Sequence, residues 1–447
     1  MRLDPELENV LSLLLAGGKT TKEMMFALAI SQPTLSRRLQ KLGPKVLQVG
    51  HARQARYFAV KALDGHQNWP VYKVSPAGEP ALLGQLFLLY PQYYLLQTPE
   101  QQYLYDDLPW FIQDMRPRGF IGRALAKQCW QALELTSAEP ELWQAEDVLK
   151  ALVLIPHDAV GNLLIGHDSY HRWLTLQPQS CQMTELPTKA SLADQGEIGP
   201  SSAAGEQPKF TAGIDERHYL VKYSAALTAE SNPVAQRWAD LLCAEAAALT
   251  LLASWGVPSA KCQIVQSEQR TFLLSERFDR EGLFARYGLV SLMAVDAEFI
   301  GKANLSWPLL ANELVDLGLL SDADRQLVHR IWCFGQLIGN SDMHNGNLSF
   351  FWLDDSLERP ELQLAPCYDM LPMCFAPARS GVIKQDAWLP NLKLDVAGVH
   401  WRAAYQMAEQ YWQQLSAEPS CSEGFRLLMQ QNFVQLRQVK DSLWRML

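Results

Sequence analysis

The eight cysteines (Cys129, Cys181, Cys243, Cys262, Cys333, Cys367, Cys374 and Cys421) form no C-x-x-C pair and are scattered singly, which excludes a disulfide-stapled small domain. A reducing cytoplasm is the simplest setting for such a chain. Long apolar runs are missing too: the most apolar early stretch, ALLGQLFLLYPQYYLL, is broken by Gln85 and Pro91 and is too short to span a bilayer. With the acidic start MRLDPELENV, neither a membrane span nor a signal peptide is expected. Charged residues make up only 19% of the chain and apolar ones 48%, so a disordered tail is not expected either.

What is present is length and asymmetry. At 447 residues the chain exceeds the size at which one hydrophobic core stops growing, so two or more domains are expected. Net charge is −9 overall, yet residues 1–60 hold nine Lys/Arg against four Asp/Glu, a local +5 that marks a separate unit.

Within that unit, Leu7, Val10, Leu11 and Leu14 fall at helical spacing and Gly17-Gly18 stops the helix. Thr20 or Thr21 can cap a second helix through Leu28, and Ser31 a third with Pro33 in its first turn. A stripe of Leu35, Leu39 and Leu42 turns Gln32, Thr34, Arg37, Arg38 and Lys41 outward. KVLQVGHARQARYFAV then alternates into a basic hairpin. Together these predict a small winged helix-turn-helix at 1–60, its third helix in a DNA major groove and Arg53 and Arg56 of the wing near phosphate. A helical bundle with a solvated basic face is the bland alternative.

Residues 61–200 carry little legible chemistry. Strands are expected over VYKVSPAGEPALLGQLFLLYPQYYLLQ, a helix over GFIGRALAKQCWQAL, and a helix followed by strand-turn-strand over 145–173. His157, His167 and His171 lack a recognised metal-ligand spacing and read as surface or structural residues. Residues 177–208 read as a loop.

The back half holds an ordered set of parts. SSAAGEQPKF is a small-residue loop able to approach phosphate, and Lys222 in RHYLVKYSA is a strand-borne positive charge. Glu245 lies on an otherwise apolar helix, a costly place unless it reaches Lys222. TFLLSERFDR reads as a strand running into a turn against which a purine can lie. GNSDMHNGN then places Asp342 and Asn347 five apart, the spacing at which a kinase Asp accepts a hydroxyl proton and an Asn holds magnesium; Asp369 in APCYDM follows as a second ligand. Oxygen donors suit magnesium rather than zinc, and His344 is a positioning or phosphate-contacting group. Taken singly, each piece has an ordinary reading as a turn or a solvated side chain.

These stretches, and ERFDR, GNSDMHNGN and YDM above all, resemble the HipA-type serine/threonine protein kinases of bacterial toxin–antitoxin systems over about residues 201–370. The resemblance implies an α+β, bilobal protein-kinase-like fold, here with 61–275 as the first lobe and phosphate loop and 276–447 as a helical second lobe. It implies ATP and Mg2+ as cofactors, a protein substrate and an antitoxin partner. Residue by residue, Ala204, Gly205, Glu206, Gln207 and Lys209 would form the phosphate loop, and Lys222 the ATP lysine. Glu276, Arg277 and Phe278 would contact adenine. Asp342 would take the proton, His344 to Asn347 would line the nucleotide, and Tyr368-Asp369 would complete the metal site. By position, Ser202 would correspond to a loop serine that can be autophosphorylated in family members. The departures are Glu206, Ala244 ahead of Glu245, and the attached basic N-terminus. The competing readings are a DNA-binding regulator with a non-catalytic kinase-like sensor and, more weakly, a metal-dependent nuclease.

Overall fold

A computed structural model describes residues 4–154, 158–177, 180–197, 207–227, 232–390, 396–438, 440, 441 and 444. The N-terminal unit contains three helices, Pro5–Leu14, Thr21–Leu28 and Gln32–Leu42, and strands Val46–Val49 and Arg56–Ala59 paired antiparallel. Capping fixes the starts. Asp4 accepts from the Glu6 N–H, while Thr20 and Glu23 form a reciprocal capping box. Leu7, Val10, Leu14, Met24, Leu35 and Leu42 close a small core, each leucine contributing roughly 1.5–3 kcal/mol on full burial. Arg38 departs from the expected outward face: it lies back on the first helix, 2.8 Å from Glu6. Phe58 and Val60 join Leu89 and Leu95, so the hairpin packs against the next layer of the chain.

That layer is a five-stranded antiparallel sheet built from Trp69–Val74, Pro80–Leu89, Tyr93–Gln97, Gln102–Tyr105 and Leu163–Ile165. The expected second strand after residue 163 is instead the helix His167–Leu174, because Gly166 turns the backbone at φ 85° and Trp173 follows at helical spacing to be buried. Residues 177–208 are likewise not all loop. Helix Leu186–Asp194 buries Leu186, Ala190 and Ala193 against the following sheet, a short amphipathic segment hidden in a polar composition.

A four-stranded antiparallel sheet comprises Lys209–Ile214, Arg217–Tyr223, Cys262–Ser267 and Arg270–Glu276. One side meets Leu186–Asp194 and residues of Gly119–Cys129, while the long helix Pro233–Ser254 packs on Arg270–Glu276 and Cys262–Ser267. Asn232 caps that helix through the N–H groups of Val234 and Ala235. The second lobe is mainly helical, with Trp307–Asp316, Asp322–Leu337, Gly398–Ser416 and Glu423–Gln438 sharing one large core with the long helix. Tyr411 donates to the Ala244 carbonyl at 3.1 Å, tying the C-terminal helices to it. No described helix is long and apolar enough to cross a membrane.

A buried charge network joins the layers. Asp279 accepts from Arg277 Nη2 and Arg280 Nη1, each at 2.9 Å, and from the Gly161 N–H at 3.0 Å. Arg277 also reaches Asp158, and Arg280 the carbonyls of Ala159 and Gly161. The edge of the five-stranded layer is thus fastened to the turn after Arg270–Glu276.

Candidate active site

The site is assembled from four local devices. In the sheet, Lys209 and Lys222 are partners across neighbouring strands, and both line the same cleft. In the long helix, Glu245 is 1% exposed and faces Lys222, whose Nζ donates to Oε1 at 2.6 Å and Oε2 at 2.8 Å. The buried carboxylate therefore has the partner its position demanded.

The third device is the loop after Asp322–Leu337. Gly339 has φ 73°, and a Cβ there would lie 2.5 Å from Cys374 Sγ, so the chain leaves the helix by a left-handed turn open only to glycine. Buried Asn340 then clamps two segments: its Nδ2 donates to the Asp369 carbonyl at 3.2 Å, and its Oδ1 accepts from the Asp342 N–H at 3.1 Å. Asn347 Nδ2 donates to the Asp342 carbonyl at 2.9 Å, and His344 Nδ1 accepts from the Gly346 N–H at 3.0 Å. The dense polar cluster thus holds the loop's own backbone and leaves the Asp342 carboxylate exposed.

Fourth, Asp369 sits in a left-handed conformation, φ 51°, and its carboxylate contacts Lys222. A non-glycine residue held there stores strain of the kind that gathers at functional sites. Burial works against the Asp369 carboxylate, but Lys222 and then Lys209 hold it below its usual range. Burial also opposes the Lys222 ammonium, which Asp369 and Glu245 keep above its usual range. Glu245 is pushed up by burial. Two carboxylates thus flank Lys222, and Lys209 acts on both as a second cation.

Lys209, Lys222, Asp342, His344 and Asp369 line one cleft of about 770 Å3, together with Gln207 and Trp238. Gln207 Nε2 is buried there with no hydrogen-bond partner among the described residues.

Residues 201–431 match the family model described as HipA-like C-terminal domain, and 65–174 match that of the YjjJ-like toxin, middle domain. The chain is 37% identical to Toxin YjjJ of Escherichia coli (strain K12), over 98% of this chain and all of that protein. The chain belongs to the HipA-like toxin family. The HipA of Shewanella oneidensis MR-1, solved with HipB and operator DNA, shares the fold at TM-score 0.56 and 13% identity, over 85% of this chain and 99% of that one. The α+β, HipA-like architecture expected from the sequence is therefore the observed one.

In this HipA-like toxin, the expected site residues have several fates. Lys222, Glu245, Asp342, His344 and Asp369 come together, with Lys209 in a strand rather than a loop. Ser202, Ala204, Gly205 and Glu206 lie outside the described residues, as do His157 and the Arg53 side chain. Arg277 turns away from the cleft into the Asp158–Asp279 network, so an adenine contact through its side chain is not what the geometry provides. Glu276 pairs with Arg217 at 3.4 Å and Phe278 packs on Phe351 and Tyr368; none of the three lines the cleft. Tyr368 is half-buried, its hydroxyl bound to Ser349 at 2.7 Å and to the Gly346 carbonyl at 3.1 Å, which makes it a brace for the loop. His167 accepts or donates to the Tyr72 hydroxyl at 3.2 Å, and no three potential ligands cluster for a metal among the described residues. Sequence reasoning missed Asn340, whose signal was an Asx residue just past a helix-ending glycine.

Proposed function

We propose that this protein is an ATP- and Mg2+-dependent serine/threonine protein kinase acting as the toxin of a toxin–antitoxin system. The observation that carries the reading is the Lys222 ammonium held between Glu245 and Asp369 in the cleft that also receives Asp342. In the proposed step, Asp342 takes the proton of a substrate hydroxyl as its oxygen bonds to the γ-phosphorus. The bond from that phosphorus to the bridging oxygen breaks, and ADP leaves.

Magnesium fits the donors. Asp369 would supply a carboxylate and Asn347 an amide oxygen, its nitrogen being engaged with the Asp342 carbonyl, and oxygen donors of this kind suit the ion. When bound there, the ion would neutralise phosphate charge. Lys222 and Lys209 would hold phosphate oxygens, and the unpartnered Gln207 amide is a further donor. All four charged groups of the arrangement are present, which supports transfer over a non-catalytic sensor. Incubating the purified chain with γ-labelled ATP, Mg2+ and bacterial lysate should place label on protein serine or threonine. Label released only as free phosphate would sink the reading.

The N-terminal unit is proposed to bind DNA as a winged helix-turn-helix, through the exposed Gln32, Arg37, Lys41 and Arg56 and the partly covered Thr34. Arg38 is engaged with Glu6 and serves the fold. An antitoxin partner is proposed by likeness to the HipA solved with HipB. Arg37→Ala with Lys41→Ala should weaken DNA binding and reduce the slope of log affinity against log salt by about 2. An unchanged slope in a titration at several salt concentrations would make this face a protein contact.

A further inference from the structure

The cleft has a wall that the family's phosphate loop and catalytic loop do not supply. Arg116 and Arg118, from the five-stranded layer's own segment, line the same cavity as Lys209, Lys222, Asp342 and Asp369. Both have extended backbone, ψ 124° and ψ 163°, with Pro117 between them, so two residues apart they project to the same side. Arg116 is steadied by a bond from Nη2 to the Trp143 carbonyl at 3.1 Å. Among the described residues, Arg118 makes no hydrogen bond and neither arginine has an ion-pair partner. The nearby Glu141 is within 3.8 Å of Arg123 instead. The two half-buried guanidinium groups repel one another and lose hydration, and Asp114, Asp107 and Glu141 offset this only in part, through space. Consistently, burial and then Arg116 lower the Arg118 pKa.

We infer that Arg116 and Arg118 bind the terminal phosphates of the nucleotide, so that the middle domain completes the kinase site; this rests on the nucleotide reading above. A guanidinium presents a planar fork of donors matched to phosphate oxygens, and its charge does not titrate away. Lys209 and the Gln207 amide line the same cleft, so cations and donors from two layers border one volume. A phosphate or carboxylate on the substrate protein has the same chemistry, and the test separates it.

Arg118→Gln is the variant of choice, because no hydrogen bond of the fold is lost with it. The full chain is titrated calorimetrically with ATP, ADP and AMP in Mg2+, without protein substrate. Wild type should prefer ATP to AMP, and Arg118→Gln should bind ATP about tenfold more weakly with AMP affinity unchanged. Arg118→Lys should recover part of the loss. Equal weakening of ATP and AMP would reduce Arg118 to a structural role. Unchanged ATP affinity would take the arginine off the nucleotide and leave it to an anion of the substrate protein; either result overturns the inference. If wild type binds none of the three nucleotides, the kinase reading falls and takes this inference with it.

Discussion

Replacing Asp342 with alanine is expected to slow phosphoryl transfer by about 10²–10⁴-fold while leaving ATP affinity nearly unchanged. The loop survives the substitution because it is built on the Asp342 backbone: the N–H goes to Asn340 and the carbonyl to Asn347. The carboxylate itself is exposed and, among the described residues, pairs only with His344 Nε2 at 4.0 Å, which leaves it open to the substrate hydroxyl of the proposed step. Single-turnover transfer with labelled ATP, alongside a nucleotide titration, reads both quantities. Equal transfer in wild type and variant would remove Asp342 from the chemistry.

Asp279→Ala should cost stability rather than chemistry, by about 3–5 kcal/mol, because it strands Arg277 and Arg280 in a buried site. Burial opposes the Asp279 carboxylate, but Arg277 and Arg280 overcome it and hold the carboxyl far below its usual range. A depressed carboxyl contributes fully above its unfolded pKa, about 3.9, and its contribution is lost only as pH falls below that. The urea midpoint at pH 7 should therefore drop sharply in Asp279→Ala, and the wild-type contribution should fade only in strong acid. An unfolding free energy within about 0.5 kcal/mol of wild type would show that the network is not what fastens the layers.

Much of the site was legible because its chemistry demands rare residues in awkward places. Glu245 on an apolar helix had to find a cation, and its bidentate bond to Lys222 is that demand met. The spacing of Asp342 and Asn347 was legible as a constellation, but the loop's clamp, Asn340, was not, since only the fold brings Asp369's carbonyl beneath it. Arg277 misled for a related reason: its neighbours in sequence belong to a turn, while its partner Asp158 lies 119 residues away. Helix Leu186–Asp194 was hidden by its composition, because two alanines and one leucine suffice to seal a sheet already built by others. The arginines 116 and 118 carried no signal at all until the middle layer was folded against the cleft.

The most direct test is a structure of the full chain with Mg2+ and a non-hydrolysable ATP analogue. The account predicts the ion on Asp369 and Asn347, phosphates against Lys209 and Lys222, and Asp342 open to the γ-phosphate. A nucleotide bound elsewhere, or Lys222 still locked to both carboxylates with no phosphate beside it, would contradict it.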